Sequence, residues 1–280
     1  MGYGDELMGS GVARGARVRG KRIAFGDGAL IRHHQHAAQI YRGNPNVARP
    51  GDEGADDLEW VAHYPGRRLY CEGRGERWQF FPGHGNRPGE VFFSDDELEF
   101  AEKCGIDGLV LVEPSVPRFK GHAVNKQWPV ERYAEVAHRL DKIGVGCAQF
   151  RAPSPYEGHK LKQVRHVRPL TFRHALAALA RVALYVGPEG GLHHGAAAVG
   201  TPAVVLFGGF VSPAVTGYEA HANIFTGGTP CGSFHRCEHC LQAMSAITVQ
   251  RVFDAAREKL SCQIVPMKDP PPTRETAPPP

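Results

Sequence analysis

Three groups of residues in this chain have types and spacings that could do chemistry. The first is Gly187-Pro188-Glu189-Gly190-Gly191-Leu192-His193-His194, followed by Gly195 and a run of three alanines. A helix that starts inside such glycines presents unpaired backbone N–H groups and the positive end of its dipole, which suits a phosphate. Glu189 offers a carboxylate to hydroxyl groups. His193 and His194 stand about 100° apart on a helix, so at most one of them faces a ligand there. An ordinary tight connection in a parallel sheet would read the same way.

The second group is Lys126-Gln127-Trp128-Pro129 at the head of an amphipathic segment. A lysine there reaches the carboxyl edge of a parallel sheet, where open α/β sheets bind ligands. A solvated lysine beside a core tryptophan is the plain alternative. The third is Asp5 within Gly2-Tyr3-Gly4-Asp5. A carboxylate on a glycine-rich turn facing a cleft can serve as a general base, and it can equally cap a helix.

Cys231, Cys237 and Cys240 have C-x5-C-x2-C spacing, with His235 and His239 nearby. Such a set can bind zinc, but no second C-x-x-C pair supplies a fourth ligand. Reduced packing cysteines are the preferred reading, zinc is the weaker one, and no metal is expected. No Walker A sequence, G-x-G-x-x-G after a strand, G-x-S-x-G or H-E-x-x-H occurs, which removes the usual support for P-loop, dehydrogenase, serine-hydrolase and zincin readings.

The elements that must position these residues follow from hydrophobic patterning. Val182–Val186 and Ala203–Phe207 are short apolar runs that read as buried strands flanking a helix from Leu192 to Val199. Further strands are expected over Gly108–Val112, Val145–Phe150 and Asn223–Phe225. Helices are expected over Pro129–Ile143, Thr171–Arg181 and Thr248–Leu260. This alternation predicts a doubly wound parallel α/β domain over residues 106–262. Upstream, Lys21–Phe25 reads as a strand and Ala29–Tyr41 as a helix carrying His33, His34 and His36. Ser94 and Glu97 form a capping box for a helix running to Lys103. The signals between Leu58 and Val91 are weak. Residues 1–105 are therefore a short first α/β domain, and 263–280 a proline-rich, disordered tail. The opening glycine turn has no strand before it, which leads to the expectation that the true start lies further upstream.

The totals bound the class. A length of 280 residues suggests about two domains, and 42% hydrophobic with 22% charged residues fits a soluble globular protein. The net charge of +4 is small and asks for no nucleic-acid partner. The seven cysteines are mostly dispersed, which fits reduced thiols. With no signal peptide visible, a cytoplasmic location is expected.

With these residues in place, roughly residues 107–262 resemble glycosyltransferase family nine, the heptosyltransferase-like enzymes of lipopolysaccharide assembly. The shared pieces fall in family order: Val110–Ser115, Lys126–Pro129, Gly187–His194 with Ala196–Pro202, Val204–Gly208, the cysteine loop, and Ile247-Thr248. Gly2–Asp5 is similar to the family's first glycine loop. The resemblance implies a GT-B-like α/β fold, with two Rossmann-like domains facing a cleft and the first of them short or truncated. It implies a nucleotide-sugar donor as substrate, with no cofactor required. Lys126 would contact the donor phosphates, Glu189 the donor hydroxyls, Gly190 and Gly191 would bring the helix N-terminus to the diphosphate, and His194 matches the family's donor-binding histidine on that helix. Asp5 matches the catalytic base of an inverting transfer. The wording Gly-Pro-Glu-Gly-Gly departs from the family's usual Asp-Thr/Ser-Gly. The match is poorest where the acceptor would bind, so the acceptor, the donor sugar and peripheral membrane association stay open. A sugar-nucleotide-binding protein without transfer activity, and an epimerase or hydrolase acting on the nucleotide-sugar, are the alternatives.

Overall fold

The computed structural model describes residues 1–116, 121–152 and 158–262. The proline-rich tail lies outside them. Helix α1 (Tyr3–Ala16) opens the chain and ends through a 3-10 turn at Gly20, whose φ of +67° lies in the left-handed region. Strand β1 (Arg22–Phe25) pairs in parallel with β2 (Leu58–Val61), and the short helix α2 (Gln35–Ile40) lies between them. The hairpin of β3 (Cys71–Arg74) and β4 (Arg77–Phe80) follows, then α3 (Asp95–Lys103).

The second half is a six-stranded, wholly parallel sheet. Its strands are β5 (Val110–Val112), β6 (Cys147–Phe150), β7 (Arg165–Val167), β8 (Leu184–Pro188), β9 (Ala203–Phe207) and β10 (Ala222–Phe225). They lie in the order β10-β9-β8-β5-β6-β7. Counted in chain order, this is the 3-2-1-4-5-6 arrangement of doubly wound nucleotide-binding sheets, with its switch point between β5 and β8. Alternation along the strands sends side chains to opposite faces. Val204 and Leu206 join Val110, Val112 and Val186 under α4 (Val130–Lys142) and α9 (Val249–Ser261). Ala203, Val205 and Phe207 join Leu111 and Tyr185 under α5 (Phe172–Leu179) and α6 (Gly191–Val199). This second cluster continues into the first half through Leu7, Ile23 and Phe25.

One buried ion pair fastens the halves together. Glu97 closes the capping box of α3, as its spacing from Ser94 predicts, by accepting the Ser94 N–H at 3.0 Å. It also receives Arg173 of α5 at 2.7 and 2.8 Å, and Arg173 donates to the carbonyl of Gln39 at 2.9 Å and to that of Phe92.

Two expectations need correcting. The helix read over Ala29–Tyr41 shrinks to α2. Asp27 accepts the N–H groups of Ala29 and Leu30 at 3.1 and 2.8 Å, and this local turn wins over the first helical turns. His34 is the N-cap of α2 instead of an interior residue, its ring nitrogen accepting the His36 N–H. The weak stretch from Leu58 to Val91 contains β2 and the β3–β4 hairpin, and Glu238–Ser245 forms a further helix, α8. Among the described residues no helix is long and apolar enough to cross a membrane.

Candidate active site

The switch point of the sheet gathers the second-half candidates at its carboxyl edge. Glu189 follows β8 directly, and α6 starts at Gly191 with Gly190 as N-cap. Lys126 arrives on the 3-10 turn Gly121–Lys126 after β5. Its ammonium pairs with Glu189 and sits 4.8 Å from the centre of the Phe210 ring. Glu189 is buried, and burial opposes its ionisation. Lys126 outweighs that cost, with help from His194, and holds the carboxyl below the usual carboxylate range.

His194 reaches toward Glu189 with Nε2, 3.4 Å from Oε1, while Nδ1 lies 2.8 Å from the Tyr218 hydroxyl. Complementarity assigns the proton to Nε2, with Tyr218 donating to Nδ1. His193 packs against Phe207, Tyr218 and His221 with its ring 4.5 Å from that of His194; one of its nitrogens lies within 4.8 Å of Glu189 and His194 ligand atoms, and both its ring nitrogens are buried without hydrogen-bond partners. Burial pushes its pKa well down, so it is a neutral core histidine. The expectation that at most one of the two faces the site needs correcting: both bring a ring nitrogen close to Glu189, and only His194 has hydrogen-bonding partners there. Trp128 does not cover the site: it is fully buried, edge-on to Tyr133, and donates to the Ile247 carbonyl at 3.0 Å.

Asp5 stands in the first turn of α1. It is not the N-cap, which is Gly2. It occupies the third helical position, where its carboxylate accepts the Gly2 N–H. Its Oδ1 accepts the Tyr70 hydroxyl at 2.8 Å and lies 3.3 Å from Arg68 Nε. Burial again works against the charge, but Arg68, the Gly2 N–H and Tyr70 together hold the pKa down. Tyr70 is close enough to Asp5 and Glu189 to feel both charges. The first turn of α1 also touches α6: Gly4 lies against the His194 ring, and Tyr3 stacks on Phe172 at 4.1 Å beside Gly191.

Several neighbours were invisible to motif reading. Glu6 is buried, 2.7 Å from both the Tyr41 hydroxyl and His34 Nε2, and burial above all pushes its pKa up to about 7. Glu113 ends β5, accepts the Ser115 N–H at 2.9 Å and is likewise raised by burial to about 7. Arg68 and Tyr70 carried no signal, because a loop residue of ordinary type acquires its role only from what the fold places beside it. A groove of about 610 Å³ opens next to the site between the β3–β4 hairpin and the short helix α7 (Pro213–Thr216). Arg77, Trp78, Phe80 and Val215 line it, and the Phe80 ring lies 5.9 Å from that of Phe210.

The cysteine group is also brought together. Cys231 Sγ lies 3.0 Å from Cys240 Sγ and 3.7 Å from Cys237 Sγ, with His239 completing the cluster. His235 instead faces Glu76 at 3.7 Å, in solvent.

Residues 109–244 match the family described as glycosyltransferase family 9 (heptosyltransferase). No curated protein matches the chain in sequence. Among solved structures, the glycosyl transferase family 9 protein from Veillonella parvula superposes with a TM-score of 0.61 at 15% identity, over 94% of this chain and 96% of that one. The iron-containing heptosyltransferase TibC, in complex with ADP-D-β-D-heptose, superposes with a TM-score of 0.53 at 12% identity, over 80% of this chain and 65% of that one. The ADP-heptose lps heptosyltransferase II of E. coli is 21% identical over 63% of this chain, with a TM-score of 0.46, and the chain spans 55% of its length. The first two likenesses show a shared α/β fold of the GT-B class.

Proposed function

We propose, from the premise that residues 109–244 are a glycosyltransferase family 9 domain, that this chain transfers a sugar of the heptose class from a nucleotide-sugar donor to an acceptor hydroxyl. The observation that carries this reading is the convergence of Lys126, Glu189, His194 and the N-terminus of α6 at the sheet's switch point. One cation and a helix start suit a diphosphate, and a buried carboxylate beside them suits the hydroxyls of a ribose or sugar.

In this reading the acceptor oxygen attacks the sugar's anomeric carbon opposite the diphosphate. The carbon–oxygen bond to the diphosphate breaks, and the acceptor's proton passes to Asp5. The configuration inverts. Lys126, freed in part from Glu189, and the α6 dipole stabilise the departing charge. Glu6 is tuned nearer to neutrality, but only 1% of it is exposed against 8% of Asp5, so Asp5 is the proposed base. The groove beside Phe80 and Phe210 is the acceptor's route, and the reaction belongs in the cytoplasm.

One observation favours binding without transfer: the Asp5 carboxylate is already engaged by Arg68, Tyr70 and Gly2. Two measurements separate the readings. Nucleoside diphosphates and their sugars, ADP first, should raise Tm, by about 2.7 kcal/mol of stability at a hundredfold excess over Kd. Release of nucleoside diphosphate on adding candidate acceptors should then show transfer. Absence of any stabilisation sinks both readings, and stabilisation without turnover selects the binding protein.

A further inference from the structure

We propose that Cys231, Cys237, His239 and Cys240 form a tetrahedral zinc site that clamps the loop carrying Asn125 and Lys126. The site stands on its own geometry and does not depend on the transferase reading. All four ligand atoms lie within 4.8 Å of one another. A tetrahedral zinc with Zn–S bonds of about 2.3 Å needs sulfurs about 3.8 Å apart. The 3.7 Å between Cys231 and Cys237 meets that spacing, and the 3.0 Å between Cys231 and Cys240 needs only a small opening. A disulfide would join two of the three sulfurs and leave the third over, whereas one metal ion satisfies all three. Three thiolates and an imidazole form a soft donor set that rejects magnesium and calcium and suits zinc.

The backbone is arranged to deliver these ligands. Cys237 is the N-cap of α8, and its sulfur lies 3.7 Å from that of Cys231. Cys231 is held from the other side by its N–H bond to the Gly209 carbonyl at 2.8 Å, with Gly232 bonded to the Phe210 carbonyl at 3.1 Å. The His239 ring packs against Gly209, where a β-carbon would come within 2.5 Å of Cε1 and 2.6 Å of Nδ1. That close approach fixes an otherwise solvent-facing imidazole beside the sulfurs.

The same loop frames the candidate site. Asn125 is fully buried, accepts the Cys237 N–H at 2.8 Å and donates to the His235 carbonyl at 2.7 Å. The next residue is Lys126, and its ammonium rests on Phe210. A clamp on residues 231–240 therefore holds both the lysine's backbone and the ring beneath it.

The test uses the full chain, purified without chelator or polyhistidine tag. Elemental analysis should find zinc equimolar with protein. Exchange of zinc for cobalt should give the visible absorption of tetrahedral cobalt together with thiolate-to-metal charge transfer. His239→Asn should weaken zinc affinity by more than about tenfold, the least that loss of even an outer-shell partner costs, while His235→Asn leaves it unchanged. Both histidines are exposed, so neither variant should fail to fold. The proposal is overturned by zinc-free protein that gives no cobalt spectrum, by an intact mass showing a disulfide within the cluster, by iron in place of zinc, or by loss of zinc from His235→Asn with retention in His239→Asn.

Discussion

Gly4 lies against the imidazole of His194, so closely that a β-carbon at residue 4 would stand 2.7 Å from Cδ2. This contact joins the first turn of α1 to the first turn of α6. It explains a glycine inside a helix, where alanine would otherwise be favoured by about 1 kcal/mol. His194 has little room to yield, because Glu189 and Tyr218 hold its two nitrogens. Gly4→Ala should therefore lower stability by about 1–3 kcal/mol through overpacking and weaken nucleotide binding through His194. Urea denaturation and nucleotide titration measure both. A variant more stable than the parent would show that the contact is loose.

Lys126 and Glu189 should behave as a coupled pair. Removing the lysine strands a buried carboxylate, so Lys126→Met should cost about 3 kcal/mol or more. The double variant Lys126→Met/Glu189→Gln removes the stranded charge and should recover part of that loss. Glu189 is held below its ordinary pKa, so its contribution is present above the unfolded value and disappears as pH falls through the folded one. Additive losses in the double-mutant cycle would mean the two residues do not interact.

Asp5→Asn should keep nucleotide affinity and abolish transfer. Because the Asp5 pKa is held below 3.8, the acid limb of kcat/KM should lie below the ordinary carboxylate range. An acid limb near pH 7 would instead assign the base to Glu6, which titrates there.

Glu6 should also mark stability. Its folded pKa of about 7 lies above the ordinary 4.5. The folded state thus binds more protons between these values, and Glu6 lowers stability as pH rises through that window. The full effect is on the order of 3 kcal/mol. Glu113 shifts in the same direction and His33, His63 and His221 in the opposite one, to about 4, so the wild-type curve mixes several groups. The stability difference between wild type and Glu6→Gln isolates one group. It should move in favour of the variant from pH 4.5 to 7, and a flat difference would show that Glu6 is not perturbed.

Arg173 is the staple between the halves. Arg173→Met leaves Glu97 buried with only Arg42 for a cationic partner and frees the carbonyls of Gln39 and Phe92. The expected loss is about 3–5 kcal/mol, read as a shift of the chemical denaturation midpoint. A change below about 1 kcal/mol would mean the halves are held by apolar packing alone.

The sequence by itself determined most of the second half of the molecule, although not β7 or α8. Apolar runs such as Ala203–Phe207, bounded by Gly200-Thr201-Pro202, can only be buried strands, and the Pro129 start and amphipathic period of α4 mark a covering helix. Glycines at 190 and 191 also marked where α6 begins. These are local signals, carried within a few residues by period, caps and breakers. The first half was poorly legible because its elements are short: α2 has 6 residues and the β strands have 4. Helix over 29–41 failed because a single Asp27 side chain outcompeted it.

Only the tertiary structure decided which residues act together. Glu97 reads as a capping residue, yet the fold also makes it the buried partner of Arg173, 76 positions away. His193 and His194 are identical in kind and adjacent, and both approach Glu189, yet packing alone gives polar partners to His194 and leaves both nitrogens of His193 without a hydrogen bond. His235 and His239 each lie within two residues of a cysteine, and the fold brings only His239 to the sulfurs, against Gly209. The pairing of Asp5 with Arg68 and Tyr70 follows the same logic. Charge and burial act through space, so a residue's ionisation and its reach are set by neighbours that no local pattern can name.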